Sequence, residues 1–140
     1  MEQYVYISSE DSSVYFTNNN AHTFKIHLKS PLVLDSSWRV AIVEFYAKSG
    51  KTKLKTSEQD VYVYSDICSG SIVKGEEQPL LRRFVKNDRN AWNYVIDTPF
   101  YLPLKKHLIS ELQVCIKDSA GDFAAYLENP VKLTLVFKPQ

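Results

Sequence analysis

The chain has 140 residues, 44% hydrophobic and 24% charged, with no break in composition along its length; this points to one domain over residues 1–140 and excludes a disordered or membrane-embedded class. Seventeen basic residues against 16 acidic ones leave a net charge of +1, so there is no long-range field to gather a polyanion, and no direct nucleic-acid contact is expected. A domain of this size buries roughly two-thirds of the surface its unfolded chain exposes, so it can be stable without a metal or a disulfide.

Nine Tyr, seven Phe and two Trp against four Gly favour strands, because flat and branched side chains pack well on a pleated surface. Met1 to Tyr4 lead straight into a first weak strand, Tyr4 to Ile7, without a charged-then-apolar leader, and no apolar run approaches membrane-spanning length. Synthesis in the cytosol without membrane insertion, and with reduced thiols, is therefore the expectation. Ser8 to Ser13 and Asn18 to Ala21 are rich in turn residues. From Thr23 to Lys29, Phe24, Ile26 and Leu28 alternate with Lys25, His27 and Lys29, the period of a strand with one wet face. Trp38 to Tyr46 is apolar on both faces apart from Arg39 and Glu44, which predicts a central strand covered on both sides. The lysines of Lys51 to Lys55 suit a loop or a protected edge.

Between Asp60 and Cys68, Val61 and Val63 alternate with Tyr62 and Tyr64. The stretch Ser69 to Gln78 is turn-rich, Leu80 to Val85 is a strand, and Lys86 to Asn90 turns again. Tyr94 to Ile96 and Phe100 to Leu104 are weaker strands. Lys105 to Leu112 carries the nearest approach to helical spacing and predicts one or two helical turns. Leu112, Val114 and Ile116 then alternate with Gln113, Cys115 and Lys117 up to the turn Asp118 to Asp122, whose Asp can bond nearby backbone. Val131, Leu133, Leu135 and Phe137 close the chain as a last strand. About eight short antiparallel strands in one small domain predict an all-β sandwich, with a single jelly roll leading and an immunoglobulin-like arrangement second.

Chemistry finds little foothold. His22, His27 and His107 are the only histidines, and the pair five apart is expected on opposite faces of a strand, where no metal is shared. The paired His-x-His of a cupin site is missing. Cys68 and Cys115 are too far apart for a metal or redox motif and are expected as buried thiols. Asp66 to Ser71 lacks the Gly-x-Ser-x-Gly elbow, and no glycine-rich phosphate loop occurs. No catalytic, cofactor-binding or metal residue is assigned, and no enzyme is expected. Tyr62 and Tyr64, with Tyr46 on a neighbouring strand, form a stripe that serves either the core or an interface, with the core favoured; Tyr46, Tyr62, Tyr64 and Trp92 are the oligomer-interface candidates.

The ordered elements resemble the minor capsid, or penton, proteins of Polinton/Maverick elements and their adintovirus relatives, over nearly the whole chain. The resemblance rests on Tyr4 to Ser13, on Asn18-Asn19-Asn20 before Phe24 to Leu28, and on Pro31-Leu32 with Leu34. It continues through the Trp38-Arg39-Val40-Ala41-Ile42-Val43-Glu44 strand, Tyr62 to Ile67, Pro79-Leu80-Leu81-Arg82, Leu112 to Gly121 and Val131 to Phe137. Val73-Lys74-Gly75 departs from the Gly-Asp expected there, and Lys138 stands where the family often has Arg. The resemblance implies a structural virion protein, a homopentamer at the five-fold vertices of an icosahedral capsid, surrounded by a double jelly-roll major capsid protein. The rival expectation is an attachment or lectin-like sandwich that binds a glycan or other ligand at an aromatic site, centred on a tyrosine or on Trp92.

Overall fold

Alternation decides which way each strand faces. In the computed structural model, which describes residues 1–140, the strands are β1 (Gln3–Ser8), β2 (Thr23–Val33), β3 (Trp38–Ser49), β4 (Asp60–Ser65), β5 (Ser71–Val73) and β6 (Glu76–Gln78), followed by β7 (Leu80–Val85), β8 (Ala91–Val95), β9 (Leu102–Pro103), β10 (Leu108–Asp118) and β11 (Leu127–Pro139). One 3-10 turn, Thr56–Glu58, is the only helical segment. Phe24 and Ile26 of β2, Val61 and Val63 of β4, Leu112, Val114 and Ile116 of β10, and Val131, Leu133, Leu135 and Phe137 of β11 are buried. The residues between them on β2, β4 and β10 remain at least partly exposed, as the alternation predicts.

Two antiparallel sheets pack face to face. The first has the order β1-β11-β3-β8, with β9 also pairing β3, and the second has the order β2-β10-β4-β7. The first long strand thus pairs with the last, the second with the next to last, and so inward to β4 with β7. This nested wrapping is a jelly roll. The immunoglobulin-like arrangement, with its ABED and CFG sheets, does not form. Because each strand reverses the previous one, the β1–β2, β3–β4, β7–β8 and β10–β11 connections gather at one end, where Ser119 N–H and hydroxyl both bond the Ser57 carbonyl at 3.0 and 2.9 Å. The β2–β3, β4–β7 and β8–β10 connections share the other end, where Leu34 N–H bonds the His107 carbonyl at 2.8 Å and Cys68 bridges Leu104.

The interior is one cluster of 27 buried residues. Phe45 of the first sheet and Phe84 of the second stack within it, and Tyr94 packs on Phe84 while its hydroxyl bonds the Val85 carbonyl at 2.6 Å, tying β8 to β7 along one side.

Three expectations change. The helical turns over Lys105 to Leu112 are strand instead: Ile109 and Leu112 both face the core three residues apart because the β10–β2 register breaks between Ile109 and Glu111. A bulge therefore imitated helical spacing. On the β2 side that break contains Pro31, which has no N–H to lose, and a matching break in β11 contains Pro130; prolines inside sheets are found at such sites.

The two-sided cover expected over Trp38 to Tyr46 is partial. Val43 is an extra residue in β3 opposite the Thr134–Leu135 step, so Val40 and Ile42 face the core before it, and Phe45 and Ala47 after it. That phase change makes the run look apolar on both faces, yet Glu44 is exposed and the outer face is open there. Finally, the turn-rich stretch Ser69 to Gln78 holds the hairpin β5–β6, closed by Lys74 and Gly75 at φ 52° and 83°. Two successive positive φ values suit a tight two-residue hairpin turn, and glycine adopts one without steric cost.

Candidate interaction surfaces

The outer face of the first sheet is organised by register. Tyr6, Thr134, Glu44 and Val95 lie opposite one another across β1, β11, β3 and β8, and Ser8, Lys132, Tyr46 and Asn93 form the next row. The Thr134 hydroxyl donates to Glu44 Oε1 at 2.7 Å and fills the middle of the first row. Both ends of that row are apolar and open, Tyr6 72% and Val95 74% exposed. Between them runs a shallow groove of about 400 Å³ that also takes in Tyr46 and Lys132.

The outer face of the second sheet mixes aromatic and basic groups. Lys117 lies opposite Tyr62, and Tyr62 opposite Arg83; Cys115 lies opposite Tyr64. The Lys117 ammonium stands 5.7 Å from the Tyr64 ring centre and 5.4 Å from that of Phe123, within cation–π range. His22 packs tilted against Phe123 and His27 against Tyr15, with centroids 5.3 and 4.6 Å apart. Partial burial lowers the His22 pKa and raises that of Tyr64, the latter helped by the neighbouring Tyr62.

A third feature lies where the β5–β6 hairpin stands beside β7. Ile72, Lys74, Leu80, Arg82, Arg83 and Phe100 are among the walls of a depression of about 540 Å³. The Arg82 guanidinium sits 3.8 Å over the Phe100 ring and donates to the Thr98 carbonyl at 3.2 Å. Partial burial lowers its pKa. The salt bridges of the fold are Lys51–Glu58 and Lys106–Asp66, both elsewhere.

The candidates of the sequence are scattered across this frame. Tyr62 and Tyr64 point outward from β4, since Val61 and Val63 take the inward positions; the core role favoured for the stripe is corrected. Tyr46 lies on the outer face of the other sheet and does not share their platform. Trp92 is corrected outright: it is fully buried in the core, its indole N–H donating to the Gln59 carbonyl at 3.0 Å, so it offers no surface to a partner. Cys68 is buried, and burial pushes its thiol up to about 12, whereas Cys115 on the outer face is only half-buried. Tyr6, Val95, Arg82 and Phe100 were not singled out by the sequence. Alternation with Val5 and Ile7 marks Tyr6 as outward, whereas nothing local marks Arg82, because its neighbour Phe100 comes from a distant loop.

His22 and His27 each hold their own aromatic partner rather than facing a common point. No group of three or more His, Cys, Asp or Glu side chains is placed to hold a metal ion. What the surfaces can do is bind: an amphipathic groove on one face, an aromatic and basic face on the other, and a cationic depression at the side. Comparison with protein-family models and with curated proteins finds no match for the chain.

Proposed function

We propose that the chain is a structural coat subunit of a DNA virus or virus-like transposon particle, five copies of which close into a ring at an icosahedral vertex. The observation that carries this reading is the nested jelly-roll wrapping of eight strands, in which the connections gather at the two ends and leave the two sheet faces and two sides free for neighbours. The resemblance of the strand motifs, from Trp38 to Glu44 and Val131 to Phe137 among others, to those of Polinton-type penton proteins supports the same role. In a ring the contact is head to tail, so one side of a subunit meets the opposite side of the next, and a fixed rotation closes the assembly. Open apolar groups on the flanks, among them Tyr6, Val95 and Phe100, supply the area such contacts bury. The role is geometric and calls for no catalysis; the second partner is a double jelly-roll major capsid protein around the ring.

The test is native mass spectrometry and negative-stain imaging of the chain, alone at high concentration and co-expressed with a double jelly-roll capsid protein from the same genome. Five-fold rings or decorated vertices are expected. A chain that stays monomeric and unbound in both settings sinks the reading. The groove beside Tyr6 and Tyr46 favours a second reading, a glycan-binding attachment module, which predicts saturable glycan binding lost in Tyr46→Ala.

A further inference from the structure

The depression beside β7 holds cations without counter-charges. Lys74, Arg82 and Arg83 all line it, and no Asp or Glu does. None of the three takes part in a salt bridge. Arg82 is not free to swing into solvent, because its guanidinium is stacked on Phe100 and held by the Thr98 carbonyl. That single hydrogen bond leaves most of a five-donor fork unused. Around the cations the surface is apolar: Ile72 is 69% and Phe100 59% exposed, and Leu80 opens β7 on the same wall. A guanidinium pre-oriented over a ring, with two further cations and an open apolar wall lining the same depression, has the chemistry to receive a carboxylate carried beside an apolar side chain.

We propose that this depression binds an acidic peptide segment of a partner protein, with Asp or Glu carboxylates on Arg82, Arg83 and Lys74, and an aliphatic or aromatic side chain against Ile72, Leu80 and Phe100. Charge complementarity selects this occupant. A nucleic-acid backbone would need a continuous basic track, whereas here Glu76 and Glu77 of the hairpin follow Lys74 within three residues and the net charge of the chain is +1. The depression, at about 540 Å³, also suits a few side chains rather than an extended duplex. This inference stands apart from the coat reading, since a subunit can hold such a segment whether or not it closes into rings.

The experiment is fluorescence anisotropy on the full chain at low salt, with three labelled probes: a peptide alternating Glu with Leu and Phe, oligoglutamate of the same charge, and a single-stranded DNA oligomer of the same charge. The mixed peptide is expected to bind at least tenfold more tightly than either of the others. Arg83→Glu, an exposed position, is expected to weaken it at least tenfold, and a peptide with Lys in place of Glu is expected to bind this variant better than the parent. Arg82→Lys keeps the charge but loses the planar fork, and is expected to weaken binding severalfold with an unchanged melting temperature. Lys53→Glu, in the exposed β3–β4 connection, is expected to have no effect. The proposal is overturned by absence of mixed-peptide binding, by oligoglutamate or DNA binding as tightly as the mixed peptide, or by an Arg83→Glu variant that binds like the parent. Ring formation is read separately by mass, so failure here and failure of the coat reading are told apart.

Discussion

Phe45 and Phe84 face each other across the sandwich with ring centres 4.6 Å apart and planes 12° from parallel. One belongs to β3 and the other to β7, strands of different sheets with the whole of β4 and the β5–β6 hairpin between them in sequence. The pair therefore joins the two layers directly. Truncating either ring in this apolar interior removes apolar burial and leaves a cavity. Phe84→Ala is expected to lower stability by about 3–5 kcal/mol, and Phe84→Leu by less than half of that, both read from urea unfolding midpoints. An alanine variant as stable as the parent would mean that the sheets are held together elsewhere.

Trp92 and Tyr62 are expected to behave oppositely. Trp92 is buried and its indole N–H is used, so Trp92→Phe should cost about 2 kcal/mol from lost volume and a lost hydrogen bond. Tyr62 points outward from β4, and Tyr62→Ser should stay within about 1 kcal/mol of the parent. Thermal melts of the two variants, compared at one pH, decide whether the inward and outward assignments are right.

The two thiols should separate in reactivity. Burial pushes Cys68 up to about 12 and raises Cys115 less far, with the Thr23 hydroxyl and the Lys117 charge working against the rise at Cys115. The thiolate is the reactive form, so a disulfide reagent at pH 8 should label Cys115 slowly and Cys68 only after unfolding. Cys115→Ser should remove the native-state reaction.

The same shift at Cys68 makes stability depend on pH. In the folded chain the thiol stays protonated up to about 12, whereas the unfolded thiol ionises near its ordinary value of 9.0. The unfolded state therefore binds fewer protons in that window, and stability falls as pH rises from about 9 towards 12. Tyr126, also raised by burial, acts in the same direction above its ordinary value. Cys68→Ala should flatten the first part of this alkaline decline in denaturant titrations between pH 8 and 11; an unchanged slope would remove Cys68 as its cause.

Asp118 organises the β10–β11 connection. Its Oδ1 accepts the N–H groups of Ala120 and Asp122 at 2.9 and 3.0 Å, and Gly121 follows at φ 88°. Asp118→Ala leaves those donors without their partner and is expected to cost about 2 kcal/mol. Gly121→Ala should cost about 1 kcal/mol from backbone conformation alone, since open space surrounds the position. Equal and negligible effects in urea unfolding would show the turn to be dispensable.

Much of this was legible from residues alone. The inward sets on β2, β4, β10 and β11 follow from strict alternation, and the Asp118 turn from its composition. Two of the errors share one cause: a bulge adds a residue and flips the phase, so Ile109 and Leu112 imitated a helix and the Val43 insertion imitated a strand covered on both sides. The Tyr62 and Tyr64 stripe was seen, but its direction was misjudged because aromatic side chains suit a core and a surface equally well. Trp92 carried no local sign of burial, since its cover comes from Gln59 and Tyr126, 33 and 34 residues away.

What the sequence by itself determined is that the chain makes strands, roughly where they run, and that together they make a sandwich, because period-two patterning is a local property written in neighbouring residues. Which strand lies beside which, and therefore that Tyr6, Thr134, Glu44 and Val95 form one row while Arg82 finds Phe100, was decided only in three dimensions. Pairing of the first strand with the last depends on burying both against a common core, and that free energy belongs to no single segment.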